Sequence, residues 1–445
     1  MLPPYRNAAL PPILHIKATQ PEPSMHLHNP LTHMLEPLQE AGQPSRTITI
    51  YVCGVTPYDT THLGHAFTYT SADVLIRYLE YLGQTVKYVQ NVTDIDDDIL
   101  KRAALTGDNW LNLGNRWTSH FIEDMITLNV RPPDHYPRAT EVIPEITATV
   151  SALIRGGMAY EKNGSVYYRV GAFPDFGKLS GLDKPAMLAT ANERGNDPND
   201  PNKEDPLDFV LWQAAKPGEP TWESPWGLGR PGWHIECSTM STKFLGESID
   251  IHSGGSDLIF PHHCCETAQL EALTGKPFVR FWMHAAMVRH AGEKMSKSLG
   301  NLVWARELLQ VYTADALRLY LASHHYSNEW SHDPGLLDWA ARVAKRIQAA
   351  ANLPAGTGAA FDAAPWEHDF RAALDDNLNA PKGVGILDEL AIEMQLAGLR
   401  GEDISAAQET LRNLSRVFGL VLDGGQPETR VARKWGEHLG KFKVI

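Results

Sequence analysis

The sequence predicts an α/β fold with a helical insertion and a C-terminal helical bundle. Two observations carry this prediction. Residues 47–53 and 86–92 show the alternating apolar pattern of strands, and the stretch between them has helical spacing, so together they form a β-α-β unit. From about Asp315 onward, apolar residues recur at the spacing of helices. With 445 residues, 43% of them hydrophobic, the chain can form cores for two or three domains.

The first strand is followed by a turn and a helix start that end at His65. Gly54 breaks the strand pattern. His62 and His65 fall in the first turn of the predicted helix, where free backbone N–H groups and the helix dipole favour an anion. The small Gly64 between them lets a flat ring approach the backbone. This stretch is therefore a candidate anion site.

Two later stretches also carry glycines that suit a ligand site. Residues 250–263 contain glycines at the place where the backbone of a nucleotide-binding fold comes close to its ligand. Residues 294–298 lie in a loop bracketed by Gly292 and Gly300, which suits movement over a phosphate chain. Residues 194–203 are polar and rich in turn formers, and their composition alone favours a mobile linker.

Four carboxylates lie within the five positions that follow the second strand, at Asp94 and at residues 96–98. They could bind a hard cation. A helix start, with Asp94 as the capping residue and the others near the positive end of the dipole, is the favoured interpretation. The spacing is not that of a calcium-binding loop.

The predicted domain organisation follows from these elements. A proline-rich extension is expected to be disordered, and a Rossmann-like catalytic domain with an insertion precedes two helical regions. The boundaries, in chain order, are 1–24 for the extension, 25–310 for the catalytic domain, about 101–205 for its insertion, 311–353 for a connecting helical region and 366–445 for the C-terminal helical domain.

Charge and cysteine content narrow the class of protein. The formal net charge of −13 argues against a surface broadly built for nucleic acid, but it permits a local basic patch. Four scattered cysteines suit a reducing compartment, so a cytoplasmic location is expected. We expect no membrane partner, since no apolar run is long enough to cross a bilayer.

A metal site is a second candidate feature. Cys53 ends the first strand and Cys237 lies in the second half of the nucleotide fold, while His262 and Glu266 are four apart and share one face if helical. Two thiolates, an imidazole and a carboxylate form a plausible tetrahedral zinc set. A buried free cysteine and a surface His–Glu pair remain the alternatives, because spacing cannot pair distant ligands.

Two motifs carry a resemblance to a known family. The run from His62 to His65 and the run from Lys294 to Ser298 resemble the HIGH and KMSKS signatures of class I aminoacyl-tRNA synthetases. From Met25 to about Leu422 the chain resembles the cysteinyl-tRNA synthetases. The resemblance implies a class I synthetase fold, in which the connecting helical region would be the stem-contact region. It also implies ATP-dependent activation of L-cysteine to cysteinyl-adenylate.

The resemblance also implies roles for individual residues. The catalytic groups would be His62, His65, Lys294 and Lys297. Zn²⁺ would bind the substrate thiolate, and Mg²⁺ would accompany ATP as a phosphate-bound ion. The implied zinc ligands are Cys53, Cys237, His262 and Glu266. The implied substrate and ATP site consists of Cys53, Gly54, Val55, Thr56, Thr68, Asn91, Val92, Thr93, Trp233, Gly255, Ser256, Asp257 and Val288.

Several stretches resemble a second branch, the mycothiol-pathway ligases, which pass cysteine to the amine of glucosaminyl-inositol. These stretches are residues 56–59, 61–66, 88–93, 193–198, 287–288 and 300–303. The short tail after Leu422 does not resemble the anticodon-reading segment of the tRNA enzymes. Glu266 and Leu299, in contrast, resemble the tRNA enzymes.

The expected partners are therefore ATP, L-cysteine and an amino-sugar acceptor. Charging of tRNA-Cys is the alternative. A non-catalytic paralogue that senses cysteine or nucleotide is a third reading, and cysteine-dependent exchange of pyrophosphate into ATP would separate it from either enzyme.

Overall fold

The structure is a computed structural model that describes residues 25–39, 46–59, 61–295, 299–422 and 427–442. Its first elements are a hairpin and a β-α-β unit. The hairpin consists of β1 (His26–Asn29) and β2 (Met34–Pro37), and the unit of β3 (Ile48–Val55), α1 (Leu63–Tyr81) and β4 (Val86–Val92). Strands β3 and β4 are parallel and nearly continuously buried, as expected for strands covered on both faces.

A helical segment and a small antiparallel sheet follow. The segment contains α2 (Asp97–Thr106), α3 (Trp110–Thr127) and α4 (Ile143–Arg155). The sheet has the order β5-β6-β7-β8 and consists of β5 (Ala159–Lys162), β6 (Ser165–Tyr168), then, after α5 (Lys184–Glu193), β7 (Phe209–Ala214) and β8 (Gly229–Pro231).

The acidic stretch after β4 is a helix start, as favoured, but its capping residue differs from the prediction. Asp96 caps α2, since its side chain accepts a hydrogen bond from the backbone N–H of Asp98 at 2.7 Å. Asp94 instead accepts hydrogen bonds from Arg138 Nε at 2.7 Å and Thr140 Oγ1 at 2.6 Å. These partners fix the carboxylate of Asp94 in a structural role.

The second half of the nucleotide fold completes the parallel sheet. It contains α6 (Trp233–Leu245), β9 (Ile249–Gly255), α7 (Cys264–Thr274) and β10 (Val279–Ala285), and the sheet order is β10-β9-β3-β4. Because the strands are parallel, their carboxyl ends lie at one edge, where ligands bind in folds of this kind.

A three-stranded sheet and two helices connect this domain to the C-terminal helices. They are β11 (Val288–His290), β12 (Glu293–Lys294), α8 (Ala305–Val311), α9 (Ala314–Ala322) and β13 (Trp330–Ser331). The turn between β11 and β12 consists of Ala291 and Gly292, both with positive φ, at 52° and 79°. Two such residues are typical of the tight hairpin turn that matches strand twist.

The remaining helices form the predicted C-terminal bundle. They are α10 (Pro334–Ala351), α11 (Ala364–Asp375), α12 (Ala380–Leu399), α13 (Ser405–Val417) and α14 (Thr429–Leu439). Helix α14 turns back onto the catalytic domain, where Trp435 donates a hydrogen bond to the carbonyl of Val130 at 2.8 Å. Within the described ranges, no helix combines the length and apolar character that a membrane crossing requires.

Candidate active site and metal centre

The carboxyl ends of β3 and β4 lie in direct contact. The backbone N–H of Gly54 donates to Asn91 Oδ1 at 2.7 Å, and a Cβ at position 54 would lie 1.6 Å from the carbonyl oxygen of Asn91, so only glycine fits. The N–H of Thr93 donates to the carbonyl of Val55 at 3.2 Å. Gly54, Val55, Asn91 and Thr93 of the predicted substrate site therefore form one continuous contact surface between the two strands, in which Asn91, Val92 and Thr93 are buried. The backbone of Thr56 follows directly after β3.

Helix α1 begins at the edge of this surface with two stacked imidazoles. His62 is the N-cap, and its Nδ1 accepts a hydrogen bond from the backbone N–H of His65 at 3.3 Å. The two rings stack with centroids 3.7 Å apart and planes at 20°. A Cβ at Gly64 would lie 2.9 Å from His62 Cε1, so glycine leaves room for the ring. Thr68 lies one turn later and donates to the carbonyl of Gly64 at 3.1 Å.

Lys294 lies in β12, close to this helix start. Asn301 donates from Nδ2 to the Lys294 carbonyl at 3.2 Å, which joins the two sides of the loop. The Cε of Met295 lies 4.0 Å from the position of a Cβ at Gly64, so the Lys294 segment contacts the start of α1. Lys297 falls outside the described residues, and its predicted role stays a prediction.

The predicted zinc ligands converge in the fold. One ligand atom from each of Cys53, Cys237, His262 and Glu266 lies within 4.8 Å of the others, and all four side chains are buried. His262 Nε2 lies 2.9 Å from Glu266 Oε1, and Cys53 Sγ lies 3.7 Å from the same oxygen. Two thiols, an imidazole and a carboxylate buried this close together are the donor set of a tetrahedral zinc site. The group therefore has the donor atoms and the spacing of a metal site.

A second group shares two members of the first. Cys53, His252, His263 and Glu266 also have ligand atoms within 4.8 Å of one another. His252 Nε2 lies 2.9 Å from Glu266 Oε2, and His263 Nε2 lies 3.4 Å from Cys53 Sγ. The sequence analysis missed His252 and His263, although both belong to the glycine-rich stretch 250–263 that it singled out.

The electrostatics of this cluster favour charged ligands. Burial acts to raise the pKa of Glu266, but the nearby His252 and His262 outweigh it and lower the pKa to about 2. A hydrogen bond with Cys53 and the charge of His262, acting against burial, lower the pKa of Cys237 to about 6. Burial lowers the pKa of His284, which lies 2.8 Å from His263, to about 3. Burial acts to lower the pKa of His262, but Glu266 and Cys237 outweigh it and raise the pKa to about 10. The cluster thus pairs a carboxylate and an acidic thiol with the cationic form of His262, and the neutral His284 lies beside it.

Trp233 and the other two cysteines have different environments. The Trp233 ring stacks on His262 with centroids 4.2 Å apart and planes at 22°, and it is only partly buried, so it forms a wall beside the cluster. Cys264 is buried among apolar residues of α5 and the segment before α7, and Cys265 packs in the core below the sheet. Neither cysteine belongs to a ligand group, as expected from their position after His262.

A polar cavity of about 230 Å³ lies beside Lys294. Its lining includes the predicted residues Ser256 and Asp257. Gly255 precedes them, and a Cβ at position 255 would lie 2.4 Å from Asp257 Oδ1. Val288 is buried between two lining residues. The full lining consists of Arg194, Ser256, Asp257, Met287, Arg289, Lys294 and Glu329. Arg194, Arg289 and Glu329 were missed, since a lone charged residue has no periodic signal.

Arg194 reaches the cavity because its loop is fixed by hydrogen bonds. Arg194 Nη1 donates to the carbonyl of Phe260 at 2.7 Å. Lys203 Nζ donates to Asn196 Oδ1 at 2.5 Å, and Asn196 Nδ2 donates to the carbonyl of Pro206 at 3.1 Å. The composition of residues 194–203 favoured a mobile linker, but the bond to Phe260 ties Arg194 to the segment before α7, and the two local bonds order the loop around Asn196.

Comparison with known proteins gives the family context of this geometry. A family model for the catalytic domain of class I (C) tRNA synthetases matches residues 40–341, and a DALR domain model matches residues 369–423. A cysteine–tRNA ligase of Dehalococcoides mccartyi is 43% identical over 91% of this chain and 88% of its own length. An L-cysteine:1D-myo-inositol 2-amino-2-deoxy-alpha-D-glucopyranoside ligase of Thermomonospora curvata is 44% identical over 89% of this chain and 94% of its own.

The solved structures agree on the fold. A methionyl-tRNA synthetase of Mycobacterium tuberculosis in complex with methionyl-adenylate is similar, with a TM-score of 0.59 over 89% of this chain and 93% of that one. Because the identity is 16%, this likeness concerns the fold alone.

Proposed function

This chain belongs to the cysteine-activating class I tRNA synthetase family, and we propose that it joins cysteine to the amine of glucosaminyl-inositol. Its relatives are ATP-dependent cysteine ligases. Sequence identity does not decide the acceptor, since relatives of the two kinds are 43% and 44% identical to this chain. The proposal concerns this acceptor, the metal and the roles of the site residues.

The first step is attack of the cysteine carboxylate on the α-phosphorus of ATP, which forms cysteinyl-adenylate and releases pyrophosphate. Negative charge builds up on the phosphoryl oxygens, so positioned cations and N–H donors lower the barrier. His62 and His65 at the start of α1 and Lys294 beside them are the described groups suited to this task. Asp257 is suited to accept from the ribose hydroxyls, and Mg²⁺ would enter with the ATP phosphates.

Cys53, Cys237, His262 and Glu266 would hold Zn²⁺. Two thiolates with an imidazole and a carboxylate are ligands that zinc prefers, and the convergence of all four buried donor atoms within 4.8 Å supports this choice. When bound, zinc would lower the pKa of the substrate thiol. It would also bind the soft sulfur of cysteine in preference to the harder oxygen of serine. Trp233 would form the wall beside the amino acid.

In the second step an amine attacks the mixed anhydride, forms an amide and releases AMP. The observation that carries the amino-sugar proposal is the position of the 193–198 loop. This loop resembles a signature of the mycothiol-pathway ligases, and its Arg194 lines the cavity next to Asp257 and Lys294. The cavity is small and lined by charges of both signs, which suits a polyhydroxylated amine that needs both donors and acceptors.

Charging of tRNA-Cys is the second candidate. Glu266, which contacts both His252 and His262, resembles the carboxylate of the tRNA enzymes. A cytoplasmic location remains part of the proposal, and it rests on four cysteines that are buried and free.

Purified protein with ATP and radiolabelled cysteine, offered either glucosaminyl-inositol or unfractionated tRNA, tests the acceptor. An amide is stable to mild base and unaffected by ribonuclease, whereas a ribose ester is hydrolysed by mild base and released by ribonuclease with the terminal nucleotide. We expect the amide, with weak salt dependence, because few phosphates would be neutralised. A base-labile product made only with tRNA would overturn the proposal.

A further inference from the structure

The chain after the Lys294 loop is bonded to the backbone at the start of α1. The N–H of Leu63 donates to the carbonyl of Val303 at 2.8 Å, and the N–H of Ala305 donates to the carbonyl of Thr61 at 3.1 Å. Trp304 and His62 are antiparallel bridge partners. The two imidazoles therefore lie on a segment whose backbone is paired with residues 303–305.

The same segment leads back to Lys294. Asn301 donates from its side chain to the Lys294 carbonyl at 3.2 Å, and its own carbonyl lies 3.1 Å from His290 Nδ1 in β11. Residues 301–305 are therefore bonded to the Lys294 strand at one end and to the start of α1 at the other. A shift of this segment would move the two phosphate-handling parts relative to each other.

Arg306 anchors this segment to α3. Its Nε donates to Asp124 Oδ1 at 2.9 Å, and its Nη2 donates to the carbonyl of His120 at 3.1 Å and to Glu123 Oε2 at 3.2 Å. Asp124 is buried and Arg306 is 38% exposed, so the pair is partly shielded from water. A guanidinium bonded to three groups of one helix has a strongly restricted position.

We infer that Arg306 is a positioning residue. Its ion pair with Asp124 holds residues 301–305 in place. Lys294 and the imidazoles of His62 and His65 can then contact the same phosphate chain. Arg306 does not touch the reacting atoms. The inference rests on the proposed roles of His62, His65 and Lys294, and it adds a residue outside both signature motifs. Misplacement of reacting groups by about 1 Å can cost on the order of 100-fold in rate.

The test is cysteine-dependent pyrophosphate exchange by the full-length, metal-loaded protein. For Arg306→Ala we expect kcat to fall about 10- to 100-fold while the KM for cysteine stays within about twofold, because the groups this segment bonds, Lys294 and the start of α1, are proposed to act on phosphate and not on the cysteine thiol. Arg306→Lys should restore part of the rate. Asp124→Asn should resemble Arg306→Ala, and the double variant should be no slower than the slower single variant, since both changes break one interaction.

Arg346 provides a matched control. Its Nε and Nη2 donate to the two carboxylate oxygens of Asp388, at 2.6 and 3.1 Å, between α10 and α12, and it is 32% exposed. Arg346→Ala should leave the exchange rate unchanged. A kcat of Arg306→Ala equal to that of the wild type would overturn the inference. So would a double variant whose loss in rate is the product of the two single losses. His65→Asn and Lys294→Ala are measured in parallel, so a failure of their proposed roles appears in those variants and not in Arg306→Ala.

Discussion

At the scale of single residues, the four candidate metal ligands are close in space but come from distant parts of the chain. Cys53 comes from β3, Cys237 from α6, His262 from the turn before α7 and Glu266 from the first turn of α7. The two overlapping groups share Cys53 and Glu266, so only one of them could hold an ion at a time. The group with two cysteines offers the softer donors, and zinc prefers them.

The ligand assignment gives the first prediction. Cys53→Ser and Cys237→Ser should each lose stoichiometric zinc, measured by atomic emission on the purified protein, because a neutral hydroxyl replaces a thiolate ligand. His262→Asn should lose zinc as well, whereas His263→Asn should retain it. Cys264→Ser is the matched control, since this cysteine is buried outside both groups. One zinc per chain in both Cys53→Ser and Cys237→Ser would contradict the assignment.

At the scale of elements, a buried ion pair joins α1 to α9. Asp73 of α1 bonds to Arg318 of α9, and both side chains are 1% exposed. Arg318 also donates to the carbonyls of Leu128 and Phe418, so α3 and the end of α13 contact the same guanidinium. The helix whose start carries His62 and His65 is thereby tied to the C-terminal helices.

This pair gives the second prediction. Asp73→Asn leaves Arg318 buried without its direct ion-pair partner and should lower the free energy of unfolding by about 3–5 kcal/mol at neutral pH. Burial acts to raise the pKa of Asp73, but Arg77 and Arg318 outweigh it, so the folded-state pKa is lowered. The stabilisation is complete above the unfolded pKa of about 3.9 and is lost as the pH falls through the lower folded value.

Urea unfolding of wild type and Asp73→Asn over a pH series measures this effect. The difference between the two proteins should be constant near neutral pH and should shrink below about pH 4. Glu247→Ala removes the exposed partner of Lys276 and serves as the control, with an expected cost of about 0–1 kcal/mol. A difference that grows as the pH falls would be inconsistent with this pair.

At the scale of the whole molecule, the last helix closes the chain onto the catalytic domain. Trp435 of α14 is fully buried, and its ring meets Tyr136 edge to face at 5.4 Å. His438 lies 3.1 Å from the carbonyl of Pro133, and Phe442 lies under the guanidinium of Arg138 at 5.0 Å. The described part of the tail therefore contributes to the core of the catalytic domain.

This docking gives the third prediction. Trp435→Ala should lower the free energy of unfolding by about 3–5 kcal/mol, because it leaves a large cavity and an unpaired carbonyl at Val130. Thermal unfolding and pyrophosphate exchange, measured on the same samples, separate stability from activity. Lys441→Ala, an exposed change in the same segment, should stay within about 0.5 kcal/mol. An unchanged unfolding midpoint in Trp435→Ala would show that α14 is not docked in solution.

The sequence by itself determined the local elements and the chemistry of the phosphate-handling motifs. The β-α-β unit, the helix start at His62 and the glycine at position 64 follow from period, capping and backbone freedom, which act within a few residues. The C-terminal bundle followed from helical spacing in the same way. Cys53, Cys237, His262 and Glu266 were predicted as a set through family resemblance, because spacing alone cannot pair ligands on distant strands.

Only the tertiary structure decided which distant groups meet. The parallel order β10-β9-β3-β4 brings His252 beside Glu266, and a hydrogen bond from Arg194 to the carbonyl of Phe260 holds the start of the polar loop 194–203 at the cavity. The contact between Arg306 and Asp124 joins residues 182 positions apart. Such contacts depend on how sheets and helices pack, which no local pattern encodes, and they position the residues that the sequence had already identified by chemistry.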